Sequence, residues 1–362
     1  MNIRFLKLID RVVGATATTC LTPAQAQSST VPRNIFLIRP GGIGDAVLLV
    51  SSISSIKNKY PNICITILAE KRNAAVFSLI PGVDKVFRYD SPNELIQALW
   101  GKYDVVIDTE QSHRLSAVVA RFVRSPIKIG FDTNERRRMF THAIGYDQNA
   151  YEADNFLSLL KPLGVGQQRD EEVVTLELPP QAVSKAGNLL QPLASEPFIA
   201  LFPGASKVEK RWGVDRFRRV AEALSAFGIK IVVVGGKEDR QMGEVIAGGL
   251  GLNLAGMTSL SETAAVIQKS SLLLSGDSGV LHIAVGLGVP TVSLFGPGRV
   301  KKWAPQGERH IVISKELPCS PCTTFGTTPP CPNDTRCMSD ITVDEVVNAV
   351  TRLLARVGAM PS

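Results

Sequence analysis

One pattern restricts this chain more than any other: short apolar runs that end at once in glycine-bearing turns. Asn34–Arg39 (NIFLIR) runs into Pro40-Gly41-Gly42, and Phe198–Phe202 into Pro203-Gly204. Residues 229–234 end at Gly235-Gly236, 272–274 at Ser275-Gly276-Asp277-Ser278-Gly279, and 289–295 at Gly296-Pro297-Gly298. Residues 63–69, 85–89 and 105–108 read as further buried strands. Runs this short, apolar without alternation, suit strands covered on both faces. Helical stretches separate them: one from about Asp45, others over about 92–100, 112–123 and 152–163, and a final one over about 343–355. Strands alternating with helices predict parallel sheets with right-handed crossovers. Ligands of such sheets bind where the strands end, so the turns carry the candidate chemistry.

At 362 residues the chain exceeds one ordinary core and suits two α/β domains. Pro179, Pro180, Pro192 and Pro197 cluster where a junction is expected. The predicted organisation is a leader over 1–33, an N-terminal Rossmann-like domain over 34–190 and a C-terminal one over 191–362. A composition of 44% apolar and 20% charged residues excludes a disordered chain and a membrane bundle. No uninterrupted apolar stretch reaches the length of about 18 residues that a spanning helix needs. Basic side chains number 40 against 33 acidic, an excess compatible with phosphate, nucleotide or acidic lipid. Neither an RNA-binding signature nor a long basic run points to nucleic acid. In the leader, Ile3, Phe5, Leu6, Leu8, Ile9, Val12 and Val13 make one face of an amphipathic helix, beside Arg4, Lys7 and Arg11, suited to an anionic membrane surface. A frayed or docked N-terminal arm is the second reading of this segment. A secretory signal ending at Ala24-Gln25-Ala26 is the third, although Asp10 and Arg11 interrupt its apolar stretch.

Three turns hold candidate site residues. In Arg39-Pro-Gly-Gly-Ile-Gly-Asp45 the glycines, Gly42 and Gly44 among them, let backbone approach a ligand. Asp45 at the following helix start is either a cap or a base that takes a proton from a hydroxyl nucleophile. The glycine spacing does not fit the dinucleotide pattern. In Ser275-Gly-Asp-Ser-Gly-Val-Leu-His282, residues Asp277, Ser278 and Gly279 form a helix entrance whose free amides favour phosphate. His282 lies one turn further in, as a packed histidine or a ligand contact. In Pro203-Gly-Ala-Ser-Lys-Val-Glu-Lys-Arg-Trp212, Ser206, Lys207, Lys210 and Arg211 follow a strand end; lysine there offsets charge on a diphosphate leaving group, or is simply a solvated base. Near the C-terminus, Cys319, Cys322, Cys331 and Cys337 are candidate ligands for a structural zinc ion, reduced thiols or disulfide partners.

Taken together the turns resemble glycosyltransferase family 9, the ADP-heptose:lipopolysaccharide heptosyltransferases. RPGGIGD at 39–45, PGASKVEKRW at 203–212, GDSGVLH at 276–282 and FGPG at 295–298 occur in the family's order, over about 34–354. The CSPC segment is similar to the cysteine-bearing tail of many members. The resemblance implies a GT-B fold of two Rossmann-like domains with parallel sheets facing across a cleft. It implies inverting transfer of heptose from ADP-heptose to an anionic, lipid-linked core glycan, with no required cofactor and no catalytic metal. Asp45 matches the general base on the acceptor hydroxyl. Lys210 matches a lysine near the donor phosphates. Ser206, Asp277, Ser278, Gly279 and His282 match donor-binding positions, Met257 the position whose backbone meets adenine, and Glu238 an acid near the ribose. On the acceptor side, Gly42, Gly44, Arg136 and Arg137 are the candidates, with Lys71 and Arg72 as further cations. A cytoplasmic protein, peripheral at the inner face of the membrane, is the implied setting. Where many members carry a serine-rich turn, this chain has Pro40-Gly41-Gly42, which leaves the choice of acceptor open.

Other readings compete. They are a GT-B transferase with another nucleotide sugar or glycan, a nucleotide-sugar-binding protein without catalysis, and a dinucleotide-dependent oxidoreductase. The missing G-x-G-x-x-G at the first strand disfavours the last.

Overall fold

Asn34–Arg39 forms β1, buried along all but its first residue, between β2 (Cys64–Ala69) and β4 (Val105–Asp108). The computed structural model describes residues 9–24, 31–166, 176–194 and 196–360. With β3 (Lys85–Arg88), β5 (Ile127–Phe131) and β6 (His142–Ile144), the first sheet has the order β3-β2-β1-β4-β5-β6, every pair parallel. The chain steps outward from β1 to β3, then crosses back to β4. With right-handed crossovers, that reversal puts the helices before and after it on opposite faces. Helices Pro92–Trp100 and Arg114–Phe122 cover the face where Phe36, Ile38, Leu68 and Val106 pack with Ala98, Ala117 and Ala120.

The second unit repeats the design. β7 (Phe198–Phe202), β8 (Lys230–Val233), β9 (Gly251–Asn253), β10 (Leu273–Gly276), β11 (Thr291–Phe295) and β12 (His310–Ser314) form a parallel sheet of order β12-β11-β10-β7-β8-β9. Its core joins strand residues such as Ile199, Leu201 and Ile231 to the helices Val214–Ser225 and Val343–Arg356. The last helix starts at a capping box. Thr342 Oγ1 accepts from Glu345 N at 3.2 Å, and Glu345 Oε2 accepts from Thr342 N at 2.8 Å.

The compact units divide between Asp170 and Glu171, not at 190/191 as the prolines predict. Helix Pro180–Leu190 packs on helix Leu260–Gln268, with Lys185 Nζ 3.1 Å from Glu262, so the proline-rich segment belongs to the second unit. Four strands carry no clear signal in the sequence: β5, β6, β9 and β12. In β5, Lys128 and Gly130 interrupt the apolar run. The Lys128 ammonium is buried and donates to Ala120 O and Val123 O at the end of helix Arg114–Phe122; burial pushes its pKa down to about 8. A Cβ on Gly130 would sit 2.2 Å from Phe140 Cζ.

The leader is docked on the first unit. Asp10–Gly14 and Ala15–Cys20 make one helical stretch that buries Asp10, Gly14 and Thr18. Asp10 Oδ1 accepts from Leu115 N at 2.7 Å, capping helix Arg114–Phe122 from outside. Arg138 Nη1 donates to Thr19 O at 2.6 Å and Ala24 N to Arg138 O at 3.0 Å. Val12 and Val13 stay exposed. The remainder of the expected amphipathic face, Ile3 to Leu8 with Arg4 and Lys7, lies outside the described residues, as do Gln25 and Ala26. Among the described residues no helix is long and apolar enough to cross a membrane.

Candidate active site

In each sheet the strand order reverses beside the first strand, and such switch points are where doubly wound sheets bind ligands. In the first unit the point lies between β1 and β4, whose last residues are Arg39 and Asp108. Arg39 is buried. Its Nε donates to Pro40 O at 2.7 Å and its Nη1 to Thr109 O at 2.9 Å. Its Nη2 stands 3.4 Å from Glu110 Oε2 and 3.6 Å from Asp45 Oδ2. Gly41 closes over this cation with φ 111°, and a Cβ there would lie 3.0 Å from Arg39 Nη2. Both facts require glycine. Helix Ile43–Leu48 then begins, with Gly42 as N-cap and Asp45 in its first turn, the carboxylate side chain about a quarter exposed at 26%.

Charge fixes the rest of this site. Burial disfavours an ionised Glu110, yet His113, Arg39 and Arg136 outweigh it and hold the carboxyl far below its ordinary range. Its Oε1 also accepts from Ser112 N at 3.0 Å. Burial likewise works against the Arg39 cation, but Asp45, Glu110, Glu152 and Asp108 reverse the effect and raise its pKa. The result is a pinned guanidinium behind a carboxylate that reaches solvent, a disposition suited to orienting a proton acceptor.

Arg136 departs from the expected acceptor-side role. Its side chain is fully buried, Nη2 donating to Asp108 Oδ2 at 2.7 Å and Nη1 to Glu110 O. The turn Asn134–Met139 folds inward here, so Arg136, the first of three consecutive arginines, is an internal strut. Arg137 is exposed and 3.2 Å from Asp132. Lys71 and Arg72 are exposed, and Arg72 Nη2 lies 3.9 Å from where a Gly41 Cβ would be.

In the second unit the reversal falls between β7 and β10. After β7, the loop ends at Trp212, whose indole donates to Ile341 O at 3.0 Å and meets Phe217 edge-on. Thus anchored, the loop brings Lys210 Nζ to 2.6 Å from Asp277 Oδ2 at the end of β10. Ser278 caps helix Gly279–Gly286, accepting from Leu281 N at 3.3 Å and lying 2.9 Å from Ser275 Oγ. Gly298 of the FGPG turn leaves room for the Asp277 carboxylate: a Cβ there would be 2.2 Å from Oδ2. His282 is buried in the helix. Ser206 is exposed in the loop before Lys210.

The Gly235-Gly236 turn after β8 gathers two more expected residues. The Glu238 carboxylate folds against Gly236, and Gly256 N donates to Gly235 O at 2.9 Å, which ties the turn bearing half-exposed Met257 to it. Asp239, absent from the sequence-based set, is buried beneath. Its Oδ2 accepts from Gly236 N at 2.8 Å, and it lies against Gly204 as well as Gly235. Burial pushes its carboxyl up, against the Gly236 hydrogen bond. Arg39, Glu110 and Asp108 were equally missed as site residues. For Arg39 and Asp108 the one signal is a charged residue ending an otherwise apolar strand, and Glu110 follows two residues after β4.

Cys319, Cys322, Cys331 and Cys337 line one cavity of about 240 Å³ together with Pro297 and Glu209. The thiols fit zinc in type and number. Among the described residues no three His, Cys, Asp or Glu side chains are drawn together as metal ligands. Burial raises the pKa of Cys322 and Cys337, reinforced by neighbouring thiols.

A family model described as glycosyltransferase family 9 (heptosyltransferase) matches residues 93–331. Lipopolysaccharide heptosyltransferase 3 of Escherichia coli is 27% identical over 292 residues, 74% of this chain and 85% of that protein. The structure of E. coli ADP-heptose lps heptosyltransferase II superposes with a TM-score of 0.74 at 22% identity, covering 90% of this chain and 100% of the other. A family 9 glycosyl transferase from Veillonella parvula DSM 2008 gives a TM-score of 0.75 at 22% identity, over 90% and 97%. Two doubly wound units of the GT-B type, with charged strand-end turns in each, therefore have a family: the chain belongs to glycosyltransferase family 9, the heptosyltransferases, and is a transferase enzyme.

Proposed function

We propose that the protein transfers heptose from ADP-heptose to a hydroxyl of a lipopolysaccharide core glycan, with inversion at the anomeric carbon. The carrying observation is the partly exposed Asp45 carboxylate backed by the buried Arg39–Glu110 pair at the switch point. Asp45 takes the proton of the acceptor hydroxyl as its oxygen attacks the anomeric carbon. The bond from that carbon to the diphosphate oxygen breaks, and ADP leaves. The amides opening helix Gly279–Gly286 bind diphosphate, and Lys210 balances the charge that grows on the leaving oxygen. Asp277 positions that lysine. Ser206, Ser278, Gly279 and His282 line the donor side, with Glu238 toward the ribose and the Met257 backbone toward adenine. Gly42, Gly44 and Arg137 belong to the acceptor side, with Arg72. The relatives' names, lipopolysaccharide heptosyltransferase and ADP-heptose lps heptosyltransferase, support this donor and acceptor. Since such an acceptor is lipid-linked, the enzyme works peripherally at a membrane.

ADP release in the presence of acceptor tests the reading. Asp45→Asn is expected to cut turnover by about 10²–10⁴-fold while ADP binding by calorimetry stays close to that of the parent protein. Equal losses in turnover and binding would remove Asp45 as base; a preference for UDP or GDP would remove the donor assignment.

A further inference from the structure

The exposed large apolar side chains of the first unit are unevenly spread. Ile96 and Trp100 lie on helix Pro92–Trp100, Phe122 ends helix Arg114–Phe122, and Val12 and Val13 lie on the leader helix packed beside it. Trp100 is 81% and Phe122 62% exposed. All three elements cover the same face of the sheet, sharing the core of Ala98, Ala117, Ala120 and Leu21. Among the described residues the opposite layer, helices Ile43–Leu48, Val50–Lys59 and Glu152–Ser158, shows no such exposed side chain.

Charge on this layer is one-sided. Lys102 and Arg124 pair by a backbone bridge that brings the two helix ends together, next to Trp100 and Phe122. Both are exposed. Arg121 stands beside them, its Nε buried without a hydrogen bond among the described residues. Arg11 is exposed on the leader. None of these four has an acidic partner among the described residues. The acids of the layer are already engaged: Glu94 with Arg88, Glu135 with Arg114, Asp10 with Leu115 N, and Asp104 with the amides of Arg33 and Asn34.

From this juxtaposition we infer that the helical layer carrying Trp100, Phe122 and the leader is the surface by which the enzyme sits on an anionic phospholipid bilayer. The inference rests on the peripheral membrane reading above and names its surface. An aromatic and aliphatic patch enters the headgroup boundary while unpaired cations meet lipid phosphate.

The full-length protein with vesicles of phosphatidylcholine, with and without phosphatidylglycerol, tests this by co-sedimentation and tryptophan emission. Of the three tryptophans, Trp212 is buried and Trp303 half-buried, so emission reports chiefly on Trp100. Expected are binding that needs phosphatidylglycerol, weakens with salt and shifts emission to the blue. Trp100→Ser with Phe122→Ser, and separately Lys102→Glu with Arg124→Glu, are each expected to weaken binding by about tenfold or more. Turnover on a soluble, delipidated acceptor is expected to stay unchanged, which also shows that the variants fold. If the parent binds and both pairs of variants bind equally well, the surface is wrong and the membrane reading stands. If the parent binds no vesicle, both fall. If the patch instead drives concentration-dependent self-association that excludes vesicles, its occupant is a second copy of the chain and the inference is overturned.

Discussion

Replacing Arg136 by methionine separates two roles for one residue, internal strut and acceptor contact. The guanidinium and the Asp108 carboxylate are both fully buried, 2.7 Å apart. Methionine fills most of the volume and removes the charge. Asp108 then keeps only the Glu110 amide at 3.0 Å, and Glu110 O loses a donor. Breaking a buried pair from one side costs about 3–5 kcal/mol, because the remaining charge is uncompensated. Denaturant melts of the first unit's signal at neutral pH should show a loss of that size. The double variant Arg136→Met with Asp108→Asn should recover much of it. Burial already pushes the Asp108 carboxyl up despite Arg136, and without the cation it rises further. The folded state then binds a proton that the unfolded chain does not hold until lower pH, so the deficit must shrink as pH falls. A loss under about 1 kcal/mol, the range of exposed pairs, with no pH dependence, would refute the buried pair and restore Arg136 to the acceptor side.

Lys210→Ala is expected to lower turnover by about 10²–10³-fold and to weaken ADP binding in calorimetry; unchanged turnover would remove Lys210 from leaving-group stabilisation. Burial holds the His310 imidazole down to about 4, with Thr291 Oγ1 2.9 Å from its Nδ1. The unfolded chain protonates first, so stability present above about pH 6.5 drains away toward pH 4, by about 3 kcal/mol at most; His310→Gln should flatten this part of a Tm against pH curve. Gly130→Ala forces a methyl onto the Phe140 ring and should cost about 1–3 kcal/mol, with Phe140→Leu restoring much of the loss in the same melts.

Sequence reading reached the parts of this protein where one property acts alone. Uninterrupted apolarity gave β1, β7 and β10 and their glycine turns, and hence the α/β class and the turns that carry Asp45, Lys210 and Ser278. It failed where two demands share a residue. β5 carries Lys128 because its ammonium ends a neighbouring helix, and Gly130 because a ring packs over it, so the run no longer reads as a strand. β9 has three residues and lies at an edge, below the length that a pattern can reveal. The junction was misplaced because proline marks local chain stiffness, whereas unit membership depends on the packing of helix Pro180–Leu190 against a helix about 80 residues later. Arg136 read as an acceptor contact because a charged side chain is expected to face solvent or ligand; only three dimensions show a carboxylate waiting at the end of β4.

The same limit explains which site residues stayed hidden, and it alters what the glycines of this family's turns do. Glycine-rich turns are usually credited with bringing backbone to a ligand. Here they also make room for buried charge. Gly41 lies against the Arg39 guanidinium, Gly298 against the Asp277 carboxylate, and Gly204 and Gly235 against Asp239. Arg39 then stands behind Asp45 and Asp277 holds Lys210, while Asp239 joins the turns after β7 and β8. Each turn thus couples a charged group that need not touch substrate to one proposed to do so. A methyl at Gly298 would displace Asp277 and with it Lys210, so such a change disturbs the chemistry without removing any group that performs it.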